Sequence, residues 1–181
     1  MKYFKRMKGF GKAPQRKPLS KIAWSWLGSF LGIYLIGAMS YASSSDPLSS
    51  FFLIGSFGAS AVLVFGAPQL DFSQPRNFLG GQVLSAFVGV TISQYLSLDL
   101  LTLAALAVSL SIVVMHLTRT LHPPGGATAL IAVIGGEQIH ELGYTFVFSP
   151  VFLGSFVMLI VALLVNNLSA NENRHYPRYW F

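Results

Sequence analysis

The sequence predicts an all-α fold, a polytopic membrane helical bundle, on three observations. The chain has 181 residues, of which 53% are hydrophobic and only 10% are charged, whereas soluble domains carry about 25% charged residues. Six stretches long enough to consider as membrane spans contain no Asp, Glu, Lys or Arg. Short motifs of small residues occur in the same order in both halves of the chain. We therefore expect about six crossings, arranged as two inverted three-helix repeats with broken half-helices.

The positive charge is concentrated at the N-terminus. Eight of the 12 Lys and Arg residues precede residue 22, and the formal net charge is +6. Because basic residues in short loops favour the cytoplasm, residues 1–21 are predicted to be a basic cytoplasmic arm. The arm could bind anionic lipid, although its role as a topology signal is the favoured interpretation. It also accounts for the basic pI, so the charge does not indicate nucleic-acid binding.

A helix needs about 20 apolar residues to cross the roughly 30 Å hydrocarbon core of a bilayer. The fifth uncharged stretch is the doubtful one, because only Gly125–Gly136 can form good helix there, about 18 Å long. It is either a re-entrant loop or a half-helix completed by non-helical chain. Six crossings put every Lys and Arg on one side, so we prefer six to five. The six stretches are Ile22–Ser45, Pro47–Leu70, Asn77–Leu98, Leu100–Thr118, Thr120–Gly136 and Leu142–Asn171.

An internal repeat divides the predicted membrane domain, residues 22–168, into two halves. Gly58–Leu63 (GASAVL) is similar to Gly126–Ile131 (GATALI), and Phe78–Gly81 is similar to Phe152–Ser155. If each half has three crossings, the second half enters the bilayer from the opposite side, a recurring plan of transporters. The repeats then span about 22–98 and 100–168, with both termini and the tail, 169–181, in the cytoplasm of a bacterial cell. We place the domain in the bacterial cytoplasmic membrane.

Each repeat contains a predicted helix break. In the first repeat, glycines leave a short helix expected over Gly58–Gly66. In the second, Pro123 and Pro124 remove two N–H groups, and Gly125 and Gly126 free the backbone beside them. Each short helix would then start near the membrane centre, with unpaired N–H groups and the positive end of its dipole.

Two such helix starts facing one cavity suit a small anion. Ser60 and Thr128 would add hydroxyl donors, and the break itself is assigned to Pro123 and Pro124. The alternative is that the small residues only pack helices, as we expect of Gly28-x-x-x-Gly32, a packing or dimer face. Asn77 and Gln82 could line a cavity or hydrogen-bond a neighbouring helix. The predicted substrate-binding residues are Gly58, Ala59, Ser60, Gly125, Gly126, Ala127 and Thr128.

Arg119 and His122 are candidates for gating or proton coupling. Arg119 either attracts the anion at a cytoplasmic gate or snorkels as an interfacial anchor. The charge of His122 changes near neutral pH, so it could couple anion movement to a proton. Its alternative role is that of a neutral histidine that caps the irregular backbone.

The sequence carries no reactive constellation typical of an enzyme. His140-Glu141 lacks the second histidine of a zinc-binding helix, and neither a Gly-x-Ser-x-Gly elbow nor a Walker-type loop is present. The chain has no cysteine, which excludes disulfides and thiolate metal sites. We therefore expect no enzymatic activity, no metal and no cofactor.

The stretch Thr118–Leu130, TRTLHPPGGATAL, resembles the signature of the HPP family, which is named after its His-Pro-Pro motif. Gly55–Ala61, Phe65–Gln69 and Gln74–Asn77 are also similar to that family, and the resemblance covers most of residues 20–168. The family consists of small integral membrane proteins, and its members in chloroplasts and cyanobacteria are associated with nitrite transport. The resemblance therefore implies a membrane transporter of a small anion such as nitrite. The family is usually described with four spans, fewer than the six predicted here; broken helices would explain such an undercount.

The expected function is therefore transport of a small monovalent anion, with nitrite the leading candidate. An anion channel would use the same site without alternating access. A structural or assembly subunit without transport activity would need neither half-helix. The expected partners are the anion, membrane lipids and a second copy of the chain in a homo-oligomer, most simply a dimer.

Overall fold

The computed structural model of the protein describes residues 2–7, 11–43 and 54–181. Throughout these residues the regular secondary structure is helical, without a β-strand, which confirms the all-α prediction for the described chain. Short 3₁₀ turns cover Asp71–Ser73 and Glu172–Arg174. The α-helices are α1 (Lys2–Arg6), α2 (Leu19–Ser43), α3 (Gly55–Ala61), α4 (Pro75–Tyr95), α5 (Leu100–Leu117), α6 (Pro124–Ile134), α7 (Glu137–Leu142) and α8 (Leu153–Leu168).

Several of these helices are suited to a bilayer. Among the described residues, three segments are long and apolar enough to cross it, namely Leu19–Met39, Leu100–Leu117 and Val147–Leu168. The last of these joins a π-helical turn, Val147–Phe152, to α8. Two shorter apolar helices, Gly55–Gly66 and Pro124–Ile134, are too short to cross alone. The chain is thus a multi-pass membrane protein, while the count of six crossings stays a prediction.

Both halves of the chain follow the order long helix, short helix, long helix. In the first half these are α2, α3 and α4, and in the second α5, α6 and α8. The third helix of each half packs against the first helix of the other, α4 on α5 and α8 on α2, and the two short helices contact each other. An approximate two-fold relation between the halves would produce such a pair of contacts between third and first helices. The inverted arrangement itself remains a prediction.

The first short helix begins earlier than the sequence predicted. Ile54 is extended (φ −88°, ψ 143°) and α3 begins at Gly55, three residues before the expected start at Gly58. A π-helical turn continues it to Gly66. The expected start at Gly58 is therefore wrong, because glycine permits a helix break without requiring one. In the second half, α6 ends at Ile134, just before Gly136, whose φ of +79° cannot continue a helix.

Glycines bring α4 and α6 into backbone contact. A Cβ atom at Gly89 of α4 would lie 2.5 Å from the Ala129 carbonyl oxygen and 2.8 Å from the Ala132 Cβ. Small residues allow such close approach where helices pack within a membrane. The Gly28-x-x-x-Gly32 face of α2 is also used for packing within the chain, since both glycines lie against the ring of Phe65.

The basic ends of the helices meet at one face of the bundle, which we call the basic face. Arg76, at the start of α4, donates from Nη2 to the Thr118 carbonyl at the end of α5 (2.9 Å). The C-terminal tail folds back onto the same face, where the Tyr176 hydroxyl donates to the Ser73 carbonyl (2.8 Å) and Arg178 to that of Gln69 (3.0 Å). The placement of every Lys and Arg on one side of the membrane, and which side this face occupies, stay predictions.

We expect Gly89→Ala to lower the free energy of unfolding by about 1–3 kcal/mol, since the added methyl has no room between α4 and α6. Thermal unfolding in detergent measures the change. Gly55→Ala is the matched control, because nothing lies within 4 Å of its added Cβ. Equal effects of the two substitutions would contradict the close packing of α4 on α6.

Candidate functional site

Four polar side chains from four parts of the chain meet in the interior. Ser60 lies on α3, Gln82 on α4 and Thr128 on α6, and His122 lies in the connection between α5 and α6. All four have 0% exposed surface. We call them the buried network. It joins the two halves of the chain at the short helices.

The hydrogen bonds of the buried network run in one direction. His122 Nδ1 lies 2.7 Å from the Phe72 carbonyl oxygen, which can only accept, so Nδ1 carries a hydrogen. In the neutral imidazole Nε2 is then the acceptor, and it receives the hydroxyl of Ser60 at 2.8 Å. Gln82 Nε2 donates to the same Ser60 oxygen (2.8 Å), and Thr128 donates to Gln82 Oε1. Every member of the buried network thus has a hydrogen-bond partner.

Gln82 places the buried network about a third of the way along α4. It is the eighth residue of the 21-residue α4, about 10 Å from the start of that helix at 1.5 Å per residue. Because Ser60 and Thr128 both bond to its amide, α3 and α6 overlap at this depth. A bilayer interior offers no water to such groups, so they must satisfy one another.

Gly81 makes room for the imidazole. A Cβ at Gly81 would lie 2.5 Å from the His122 Cβ and 2.7 Å from the Thr120 carbonyl oxygen. The ring of Phe78, also on α4, lies 5.2 Å from the imidazole, centroid to centroid. The α4 face therefore fixes the ring position that the hydrogen bonds require.

The start of α6 differs in detail from the predicted anion site. The Gly125 N–H donates to the His122 carbonyl (2.8 Å) and the Gly126 N–H to that of Pro123 (3.1 Å). These two groups were expected to be unpaired, and the tight turn before α6 pairs them. A free donor does remain beside this turn. The Ser85 hydroxyl is buried without a partner, and a Cβ at Gly125 would lie 2.6 Å from it.

The remaining predicted site residues lie outside the buried network. Gly58 and Ala59 are exposed on the outer side of α3. Their N–H groups, with that of Ser60, belong to the interior of a helix that starts at Gly55, so they are not its free end. Ala127 is exposed, and Pro124 is buried at the start of α6. Pro123, Gly126 and Ala127 line an apolar groove of about 590 Å³ between α5 and α6.

A charged pocket of about 520 Å³, which we call the vestibule, opens on the basic face above the buried network. Arg76 and Arg119 line it together with a single acidic side chain, that of Asp71. At its floor, Asn77 donates to the carbonyl of Leu121 (3.0 Å), the residue before His122. The vestibule therefore ends one residue from the buried network.

Arg119 owes its position to the end of α5. Its φ of +59° turns the chain there, and its N–H donates to the His116 carbonyl (3.1 Å). The guanidinium is exposed and lines the vestibule. Across the vestibule, burial and the Asp71 carboxylate raise the pKa of Tyr179 above its ordinary value. Within the described residues, no group of three His, Asp or Glu side chains is placed to hold a metal ion.

The family comparison covers nearly the whole chain. The model of the HPP transmembrane region matches residues 14–177. The chain belongs to the HPP family. Two transmembrane proteins of Dictyostelium discoideum are 46% and 45% identical to it over 184 and 186 residues, covering 100% of this chain. The chain spans 58% and 64% of the length of these relatives. No solved structure matches it significantly.

The three residues of the HPP motif occupy three different environments. His122 is part of the buried network, Pro123 is exposed in the apolar groove, and Pro124 is buried as the first residue of α6. The sequence left open whether Gln82 lines a cavity or bonds a neighbouring helix. Its structural role is to bond two helices, and the signal for it was an amide within an apolar stretch, which a membrane tolerates only when it is paired.

Gln82→Met should lower the free energy of unfolding by about 1–3 kcal/mol, since the Thr128 hydroxyl loses the oxygen to which it donates and the Ser60 oxygen loses one donor. Thermal unfolding in detergent would reveal it. Gln138→Met, on the exposed surface of α7, is the control. If the two variants unfold alike, the amide of Gln82 does not hold the short helices together.

Proposed function

We propose that this HPP protein transports a small monovalent anion, nitrite foremost, by way of the buried network. The observation that supports this most is the position of the network. Hydrogen-bond donors meet at the depth where two short helices overlap, and Leu121, which precedes His122 of the network, lines a vestibule with two arginines and one aspartate. Sites at such breaks are where transporters bind their substrates.

We propose six crossings in two inverted repeats. In support, α3 ends near the basic face, because the Phe65 carbonyl at its π-helical end accepts from Arg174. α6 starts near Met115, close to the end of α5, and passes Gln82 at Thr128. The short helices would thus run in opposite directions past the depth of Gln82. We also propose that the basic face is cytoplasmic and that the protein lacks enzymatic activity.

The vestibule would concentrate the anion. Two guanidinium groups and one acidic side chain line this concave surface, an arrangement that would raise the local concentration of anions. Arg119 is the more exposed of the two and would meet the anion first. The anion would then pass Asn77 and Leu121 to reach the buried network.

The buried network would exchange its internal hydrogen bonds for bonds to the anion. In this conformation the Thr128 hydroxyl donates to the Gln82 side-chain oxygen, and the Gln82 amide nitrogen donates to the Ser60 oxygen. Ser85, whose hydroxyl lacks a partner, supplies a further donor one helical turn along α4. Since the members are buried and mutually bonded, the path is closed in this conformation. A closed path favours a carrier over a permanently open channel.

Thr128→Val should reduce nitrite uptake about tenfold or more, the loss expected for one hydrogen bond to a charged group. Purified protein in liposomes is tested with nitrite, nitrate, formate and chloride. Thr145→Val, on an exposed residue, is the control and should transport as the parent protein does. Unchanged uptake per folded molecule in Thr128→Val would remove Thr128 from the site. No uptake of any of the four anions by folded parent protein would favour a structural role.

We further propose that His122 couples the anion to a proton. When neutral, its Nε2 accepts the Ser60 hydroxyl, so that hydroxyl is unavailable to a substrate. Protonation would make Nε2 a donor to the Ser60 oxygen, and the Ser60 hydrogen would be released toward the anion. The charged imidazole would also attract the anion. Proton and anion would therefore bind together.

Uptake should rise when the compartment that supplies the anion is made acidic, because the protonated imidazole favours binding. In His122→Asn the remaining flux should no longer respond to the pH gradient. Nitrite flux under opposite pH gradients tests both statements, with His140→Asn, in α7, as the control that keeps the response. An unchanged pH response in His122→Asn would assign the coupling to another group.

A further inference from the structure

A second basic pocket lies at the start of α2, apart from the vestibule. Its volume is about 210 Å³, several times the roughly 30 Å³ that a water molecule occupies in the liquid. Lys17, Lys21 and Arg174 line it, and none of its lining residues is acidic. Three cations thus converge on a concave surface without a carboxylate.

Arg174 is the buried member of the group. Only 3% of its surface is exposed. Its partners are neutral oxygens, the Phe65 carbonyl (2.9 Å), the Ser25 hydroxyl (3.2 Å) and the Lys21 carbonyl (3.3 Å), and Nε is buried without a partner. A buried guanidinium is costly unless a counter-charge approaches it. Its unused donor and its charge therefore point to an anionic ligand.

The start of α2 adds to the attraction. Lys17 and Lys21 flank the first residue of that helix, Leu19, whose early N–H groups have no intrahelical partner. The positive end of the helix dipole lies there, and the first turn contains no acidic residue to neutralise it. Glu172 lines an adjoining pocket with Arg178 and His175, and Lys21 lines both pockets.

We propose that the pocket formed by Lys17, Lys21 and Arg174 binds a phosphate group. Phosphate oxygens accept several charge-assisted hydrogen bonds at once, from a guanidinium and from ammonium groups. The group can belong to an anionic phospholipid or to free inorganic phosphate. The site is separate from the buried network, so it stands or falls independently of anion transport.

Native mass spectrometry of delipidated protein titrated with phosphatidylglycerol, and with phosphatidylcholine as the zwitterionic comparison, tests the lipid source. Calorimetric titration with inorganic phosphate tests the free ion. We expect Lys17→Gln/Lys21→Gln to raise the Kd for the phosphate ligand by about tenfold or more, equivalent to about 1.4 kcal/mol. Lys12→Gln/Arg16→Gln removes the same charge from exposed positions outside the pocket lining and should bind within about twofold of the parent.

The two arms separate the outcomes. Phosphatidylglycerol binding that the pocket variant alone weakens supports a lipid ligand, and the same pattern with phosphate supports the free ion. Equal losses in both double variants would mean nonspecific attraction to the arm and overturn the site. Binding of neither ligand, or equal binding of both lipids, also overturns it. The thermal midpoint of each variant confirms that the protein is folded.

Discussion

The bundle depends on a single amide at its centre. Gln82 donates to Ser60 on α3 and accepts from Thr128 on α6, so one side chain joins the two short helices. In water such an amide could replace its protein hydrogen bonds with bonds to solvent. In a membrane interior the cost of an unpaired polar group makes the pairing obligatory. The same requirement selects the tautomer of His122, because the Phe72 carbonyl can only accept.

Glycines beside the buried network allow these side chains to come together. Gly81 leaves space for the imidazole, and Gly125 brings the start of α6 against Gly81 and Ser85. A methyl group at either position would collide with backbone atoms, which do not yield as a flexible side chain does. The composition that marks a membrane chain in general therefore has a specific purpose here. It lets backbones approach closely enough for short polar side chains to reach one another.

Charge and hydrogen bonding occupy different levels of the molecule. Exposed arginines stand at the basic face, where water and lipid headgroups can solvate them, and the interior network consists of neutral side chains. Arg174 departs from this division, since it is buried at the basic face with neutral partners. Both candidate ligand sites follow from this separation. A small anion would leave the charged level for the neutral one, whereas a phosphate group would stay at the charged level.

Composition and sequence pattern alone determined the fold class, the two short helices and the family of this protein. The scarcity of charge predicted membrane helices, the prolines and glycines predicted two short ones, and the TRTLHPPGGATAL stretch indicated the family. Ser60, Thr128 and His122 were selected because each stands beside a predicted break. Each of these features depends on residues close together in the chain, so the sequence alone predicts it.

The tertiary structure alone decided which of the selected residues meet. It joined Ser60, His122 and Thr128 through Gln82, and it left Gly58 and Ala59 on the outer side of α3. It also paired the N–H groups of Gly125 and Gly126 and brought Arg174 to the start of α2. The reason is physical. The rotation of each helix and the hydrogen-bond partners of its side chains depend on packing between segments distant in the chain. A helix break predicted from Gly and Pro determines neither of them.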